Sequence, residues 1–139
     1  KKGKGKAKAP PSESDDGKVL IVEDYEGNVV VLSYLLEQMG IKFDVAVNGL
    51  EAVQKYEDQD YDIILMDIQM PLMDGFTATR EIRDIERDGE KIPTPIIGMT
   101  AHALVGDKQK CLDAGMDAYV PKPINENDLK SEILRLLGK

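Results

Sequence analysis

The chain has 139 residues, of which 42% are hydrophobic and 32% are charged, values typical of one soluble globular domain with its own core. No apolar run approaches the ~20 residues that a membrane-spanning helix requires, so this segment is not expected to insert into a membrane. One cysteine, Cys111, and one histidine, His102, exclude a disulfide framework and a Cys/His zinc site. A single unpaired cysteine favours a reducing, cytoplasmic compartment.

The formal net charge of −8 is unevenly distributed along the chain. Residues 1–17 contain five lysines and three acids, whereas the remainder carries thirteen basic and twenty-three acidic side chains. The acidic remainder argues against direct nucleic-acid binding, which needs a phosphate-neutralising surface. An acid excess of this size indicates either a nearby cation or simply a solvated surface.

Residues 1–17 alternate lysine with glycine and alanine and then run into two prolines and a Ser/Asp cluster. They contain no aliphatic residue larger than alanine, so we predict a flexible basic linker here and a folded domain at 18–139. No apolar segment of a secretory signal follows the charges. Because the first residue is not methionine, we expect a piece of a longer protein.

Five short apolar segments are predicted as strands. Segment 61–67 contains an unbroken apolar run, as expected of a strand covered on both faces of a parallel sheet, and segment 95–100 is predicted as the next buried strand. Segment 41–47 alternates apolar and polar side chains instead, which indicates one wetter face and a place near the sheet edge. In chain order, the predicted strands span 18–23, 41–47, 61–67, 95–100 and 118–120.

Five amphipathic segments are predicted as helices. The first has apolar residues at helical spacing and ends before Gly40, although its three consecutive valines alone would favour a strand. Asn48 and Asp74 are placed to cap the second and third helices, and Leu50 is predicted to face the core. In chain order, the predicted helices span about 29–39, 50–58, 74–87, 106–114 and 125–137, and we expect no DNA-binding output domain after the last.

This regular alternation predicts an α/β fold, with a parallel sheet covered by helices on both faces. In such sheets, ligands bind at the carboxyl ends of the strands. Polar residues stand at those ends: Glu23, Asp24, Asp67, Thr100 and Lys122. Three unpaired carboxylates would raise one another's pKa values unless a divalent cation kept them ionised. Magnesium fits best, since every candidate ligand is a hard oxygen.

Taken singly, most of these residues have simpler interpretations. Asp24 could serve only as a helix N-cap, Asp67 could merely begin a loop, and Thr100 is an ordinary strand-end residue. Lys122 is harder to dismiss, because flanking prolines fix its backbone and aim its side chain. The combination after four separate strands is what indicates function. By contrast, the solitary His102 is most simply exposed and passive, and Cys111 buried and inert.

From about residue 18 to 137, the chain resembles the receiver (response regulator) domain of two-component signalling. The resemblance is carried by VLIVEDYEGN, LMDIQMPLMDGFTATREIR, IIGMTAHAL and AGMDAYVPKPI. It implies a flavodoxin-like (βα)5 three-layer sandwich with strand order 2-1-3-4-5. It also implies a phosphorelay domain that accepts a phosphoryl group from a phosphohistidine, catalyses its own aspartyl phosphorylation and dephosphorylation, and switches conformation.

The same resemblance implies a role for each strand-end residue. Asp67 would be the phosphoacceptor, Thr100 and Lys122 would bind the phosphoryl oxygens, and Thr100 with Tyr119 would form the conformational switch. The Mg2+ ligands, for which Mn2+ could substitute, would be Asp24, Asp67, the backbone carbonyl of Gln69 and, through a water, Glu23. The chain departs from the family in its Glu-Asp acidic pair and in the Tyr25-Glu26-Gly27 start of the first helix.

The motifs most resemble C-terminal receivers of hybrid sensor histidine kinases, which implies a histidine kinase as phosphodonor and a histidine phosphotransfer protein as acceptor. A stand-alone single-domain regulator is the alternative, and the oligomeric state stays open. Outside this class, a flavin-binding electron carrier is disfavoured because acidic residues follow the first strand. A haloacid-dehalogenase-like phosphatase is disfavoured because the first strand lacks its Asp-x-Asp arrangement.

Overall fold

The computed structural model describes residues 18–101 and 105–138. The linker predicted at 1–17 and the interpretation of His102 lie outside these residues. Every predicted strand and helix is present. The strands are β1 (Lys18–Val22), β2 (Lys42–Ala46), β3 (Ile63–Asp67), β4 (Ile96–Thr100) and β5 (Ala118–Pro121). The helices are α1 (Glu26–Gln38), α2 (Gly49–Asp58), α3 (Gly75–Asp88), α4 (Val105–Ala114) and α5 (Glu126–Leu137).

The five strands form one parallel sheet in the order β2-β1-β3-β4-β5. The predicted fold and strand order are therefore confirmed. The alternating strand β2 lies at an edge, as its wetter face indicated, whereas β3 and β4 are buried at every position. The central strands need aliphatic side chains on both faces because helices cover both.

Two apolar layers flank the sheet. One packs β-strand side chains against α2, α3 and α4, through residues such as Tyr56, Ile82 and Cys111. The other packs the opposite face against α1 and α5, through residues such as Leu36 and Ile133. No helix within the described ranges is both long and apolar enough to cross a membrane. Cys111 is 1% exposed, which confirms its predicted burial.

The helix boundaries follow local capping. Asn48 and Asp74 accept hydrogen bonds from the backbone three residues on, as predicted. Helix α1 begins three residues earlier than predicted, because the Tyr25 carbonyl accepts from Asn28 N and Val29 N and opens the first turn. The prediction for Leu50 was wrong, since this side chain is 42% exposed.

Candidate functional site

The five polar residues predicted at strand ends lie at one edge of the sheet. Glu23 and Asp24 directly follow β1, and Asp67 is the last residue of β3. Thr100 ends β4, and Lys122 follows β5. These four strands are parallel and adjacent in the order β1-β3-β4-β5, so their carboxyl ends open at the same edge. The fold thus collects residues that are far apart in the sequence.

Three of these residues bring their carboxylates together. One oxygen each from Glu23, Asp24 and Asp67 lies within 4.8 Å of the other two. Glu23 and Asp67 are buried, at 1% and 3% exposure, while Asp24 is exposed. Asp24 does not cap α1, because the N-cap is Tyr25 and makes no side-chain cap hydrogen bond. The simpler interpretation of Asp24 as a helix cap is therefore removed.

Lys122 places its ammonium between two of the carboxylates. Lys122 Nζ donates to Asp67 Oδ1 at 2.9 Å and lies 3.1 Å from Glu23 Oε1. Its backbone is held in turn by a hydrogen bond of 2.7 Å from Lys122 N to the carbonyl of Thr100. The peptide bond between Lys122 and Pro123 is cis. The backbone hydrogen bond to Thr100 fixes the end of β5 beside β4, and the Lys122 side chain reaches across β4 to Asp67 at the end of β3.

This cluster contains more carboxylates than ammonium groups, and the pKa values of Asp67 and Lys122 shift accordingly. Burial raises the pKa of Asp67 to about 6; the Lys122 hydrogen bond opposes the shift, and the charge of Glu23 adds to it. For Lys122, burial acts to lower the pKa, but the hydrogen bond and charge of Asp67, followed by the charge of Glu23, outweigh it and raise the pKa. One ammonium thus serves two buried carboxylates, with a third close by.

The residues present fit a divalent cation. All three side-chain donors are carboxylate oxygens, the ligands that magnesium prefers. Glu23 Oε1 is buried and accepts no hydrogen bond from any described residue, although Lys122 Nζ is near it. Glu23 Oε2 accepts from the backbone N of Tyr25 at 3.1 Å. A buried carboxylate oxygen without a hydrogen bond, beside two further carboxylates, is a position that a cation would stabilise.

Two glycines that sequence reasoning missed pack the loop after β3 against its surroundings. A Cβ on Gly75 would lie 2.2 Å from the carbonyl oxygen of Asp67, and a Cβ on Gly49 would lie 2.4 Å from that of Met73. Only glycine permits these backbone approaches. Gly75 N donates to the carbonyl of Ile68 at 2.8 Å, which closes the loop at the end of β3. The glycine that directly follows Asp74 was the feature of the sequence that could have indicated this close backbone packing.

The remaining predicted site residues are Thr100, Tyr119 and Gln69. Thr100 is 1% exposed, and its Oγ1 donates to Asp107 Oδ2 at 2.8 Å. Sequence reasoning did not single out Asp107. Tyr119 is partly buried against the apolar layer that contains α4, and Gln69 is exposed in the loop after β3. The phosphoryl-binding, metal-binding and switching roles of these residues stay predictions.

Comparison with known proteins identifies the domain type. The family model of the response regulator receiver domain matches residues 19–134 of this chain. The chain is 46% identical over 120 residues to hybrid signal transduction histidine kinase G of Dictyostelium discoideum, which covers 85% of the chain and 3% of that kinase. It is 39% identical over 129 residues to sensor protein GacS of Pseudomonas syringae pv. syringae, which covers 93% of the chain and 14% of that protein. The chain thus spans a small part of these relatives.

Solved structures agree with this assignment. The receiver domain of sensor histidine kinase PA1611 from Pseudomonas aeruginosa, with magnesium coordinated in its active-site cleft, superposes with a TM-score of 0.79. It is 40% identical, and the match covers 88% of this chain and 98% of that one. The receiver domain of Saccharomyces cerevisiae Ssk1, in complex with the histidine phosphotransfer signaling protein Ypd1, superposes with a TM-score of 0.83 at 33% identity. That match covers 86% of this chain and 87% of the Ssk1 chain. Together with the sheet order and the acidic strand-end cluster, these matches show that the chain belongs to the response regulator receiver domain family.

Proposed function

We propose that Asp67 accepts a phosphoryl group from a phosphohistidine and that the domain changes conformation in response. The observation that carries this proposal is the pairing of a buried carboxylate with a partly buried ammonium: Asp67 is 3% exposed, and Lys122 Nζ lies 2.9 Å from its Oδ1. Glu23 and Asp24 add carboxylate oxygens within 4.8 Å. A nucleophile, a cationic partner and a set of metal-binding oxygens therefore occur together.

The chemistry follows from these groups. An ionised oxygen of Asp67 attacks phosphorus, the new O–P bond forms as the N–P bond to the donor histidine breaks, and the electron pair leaves with the imidazole. Because such a reaction needs mainly alignment and charge neutralisation, rate depends on cations and donors placed around the transferred group. Lys122 and the Thr100 hydroxyl are assigned to the phosphoryl oxygens. Asp67, with a pKa of about 6, is mostly ionised at neutral pH.

We assign Mg2+ to the carboxylates at this edge, with Asp24, Asp67 and the Gln69 carbonyl as ligands, Glu23 acting through a water and Mn2+ as a substitute. The ion would neutralise negative charge on the acceptor and on the transferred group. Support comes from the fit of the oxygen donors and from the magnesium in the Pseudomonas aeruginosa receiver. Glu23 Oε2 accepts from Tyr25 N, whereas Oε1 lies 3.1 Å from the Lys122 ammonium and accepts no hydrogen bond, so a water between Glu23 and the ion would supply the hydrogen bond that Oε1 lacks.

We further propose that the domain functions as the receiver of a cytoplasmic hybrid histidine kinase. Its phosphodonor would be a histidine kinase, and its acceptor a histidine phosphotransfer protein. The Dictyostelium and Pseudomonas kinases and the Ypd1 complex of the yeast receiver support these partners. A stand-alone regulator remains the second candidate. A phosphotransfer profile against purified kinases and phosphotransfer proteins distinguishes the two, since a hybrid-kinase receiver passes its phosphate on to a histidine.

Two other classes of protein share either the chemistry or the topology of this domain. The residues at the carboxyl ends of the strands disfavour both. A flavin-binding carrier needs a neutral, hydroxyl-rich phosphate cradle after β1, where this chain has three acids, Glu23, Asp24 and Glu26. In a haloacid-dehalogenase-like phosphatase the nucleophile ends β1, whereas the carboxylate contacted by Lys122 ends β3.

The direct test is phosphorylation by a small-molecule donor. The protein is incubated with acetyl phosphate and Mg2+, and intact mass spectrometry measures the addition of one phosphoryl group. We expect a single acid-stable, base-labile adduct on the unchanged protein and none on Asp67→Asn. Asp74→Asn is the matched control, because this carboxylate lies in the same segment but caps α3. An adduct of normal yield on Asp67→Asn would refute the assignment.

A further inference from the structure

The hydroxyl of Thr100 is already engaged in this structure. Thr100 ends β4 and is 1% exposed, and its Oγ1 donates to Asp107 Oδ2 at 2.8 Å. Asp107 belongs to the first turn of α4. The hydrogen bond therefore ties the carboxyl end of a central strand to the beginning of a helix that packs on one face of the sheet.

A threonine hydroxyl has a single proton to donate. The oxygens of a phosphoryl group on Asp67 act as acceptors, and so does the ionised carboxylate of Asp107. Thr100 cannot satisfy both with the same proton. The proposed function requires that proton at the phosphoryl group, whereas the structure shows it at Asp107.

We propose that Asp107 is a positioning residue of the phosphoacceptor site: it holds the Thr100 hydroxyl in the unphosphorylated state and releases it when Asp67 is phosphorylated. This inference rests on the proposed function. Both hydrogen bonds have a charged acceptor, so the exchange replaces one strong bond by another of the same kind. Asp107 thereby opposes phosphorylation, and phosphorylation frees the first turn of α4 from β4.

Competition for the Thr100 hydroxyl should change the affinity of the site for a phosphoryl analogue. A contact present only in the unphosphorylated state must be broken by whatever binds in the phosphoryl position, so removing the contact tightens that binding. Beryllofluoride with Mg2+ is a suitable probe because it imitates a phosphoryl group without a covalent reaction. We expect Asp107→Ala to bind it roughly fivefold or more tightly, at the lower end of couplings between linked sites.

The matched control is Asp113→Ala, which removes an acid from the same helix. Asp113 accepts a hydrogen bond from Gln109 within α4 and lies in the last turns of the helix, away from the first turn that holds Asp107. Asp107→Asn retains the shape and a neutral acceptor, so its affinity should lie between those of Asp107→Ala and the unchanged protein. It also provides a second folded variant if the alanine variant is unstable.

The experiment is a double-mutant cycle read by NMR titration with beryllofluoride and Mg2+. Asp107→Ala and Asp113→Ala are compared in the unchanged protein and in the Thr100→Val background. The Thr100 methyl resonance of the untitrated protein should move in Asp107→Ala and stay in place in Asp113→Ala. The affinity gain of Asp107→Ala should disappear in Thr100→Val, since no hydroxyl remains to be released.

Two results would overturn the inference while leaving the proposed function intact: an affinity of Asp107→Ala equal to that of Asp113→Ala, or a gain that persists in Thr100→Val. Each would be obtained with an unchanged protein that binds the probe normally. If the unchanged protein fails to bind beryllofluoride at all, the proposed function is refuted and the inference falls with it.

Discussion

The two edges of the sheet both contain buried carboxylates, but these carboxylates are partnered differently. At the amino-terminal edge, Glu86 is 3% exposed and accepts three hydrogen bonds: 2.7 Å from Tyr56 Oη, 2.8 Å from Thr94 N and 2.7 Å from the Arg83 guanidinium. Arg83 also donates to Asp117 Oδ2 at 3.0 Å. Each charge there has a partner of opposite sign or a set of donors.

At the carboxyl-terminal edge, Glu23 and Asp67 share the single ammonium of Lys122, with Asp24 adjacent. Burial raises the pKa of Asp67 to about 6 because this compensation is incomplete. Removing one member of a fully partnered buried cluster destabilises the fold, whereas an under-compensated cluster is one that a cation would stabilise. We therefore call the amino-terminal edge the structural edge and, on the proposed function, the carboxyl-terminal edge the reactive edge.

The largest effect should come from breaking the structural edge. Glu86→Ala leaves Thr94 N without its acceptor and takes one partner from Arg83 and Tyr56. We expect the free energy of unfolding to fall by about 3 kcal/mol, as for other broken buried pairs. Urea denaturation measures this loss. Glu86→Gln, which keeps an acceptor oxygen, should lose less.

The same variant tests the separation of the two edges. Phosphorylation by acetyl phosphate, expressed per folded molecule, should be unchanged in Glu86→Ala, because none of its partners reaches the Asp67 cluster. A well-folded Glu86→Ala protein that failed to become phosphorylated would show that the edges are coupled.

A smaller effect is expected within the reactive edge. Asp24→Asn should weaken Mg2+ binding on the order of 100-fold. Glu23→Gln should weaken it about 10-fold, the size of outer-shell effects, because Glu23 is proposed to act through a water. Isothermal titration calorimetry with Mg2+ measures the dissociation constant of each variant and of the unchanged protein. Equal losses would mean that the direct and indirect roles are assigned wrongly.

The smallest effect concerns the charge on Asp67 itself. Its pKa of about 6 exceeds the ordinary value of 3.8, so the folded state holds more protons than the unfolded chain between these values. Stability therefore falls as the pH rises through that window. Without Mg2+ at neutral pH, Asp67→Asn should be more stable than the unchanged protein by on the order of 1 kcal/mol.

Urea denaturation of both proteins in EDTA, at neutral pH and at about pH 4, tests this sign. The difference should shrink toward the acidic end, because Asp67 is then neutral in the folded chain and close to half protonated in the unfolded chain. A difference that is constant with pH, or that favours the unchanged protein, would contradict the raised pKa.

Much of this domain was predictable because its signals are local. The unbroken apolar run of β3 indicated a buried central strand, and the alternation of β2 indicated an edge strand. The caps at Asn48 and Asp74 were recognisable because a cap depends on residues only three positions away. The exposure of Leu50 was not predictable. Helical spacing shows which face of α2 is apolar, but it does not show how much of that face the neighbouring elements cover.

The order of elements, the fold class and the polar residues at the strand ends could all be predicted, since periodicity and capping act over a few residues. Which of those residues meet depends on the tertiary structure: Lys122 reaches Asp67 across 55 positions, and Gly75 lets the backbone close at the end of β3. The tertiary structure also decided that Thr100 donates to Asp107. Such distances depend on how the strands stack and how helices dock on them, and no local pattern encodes them.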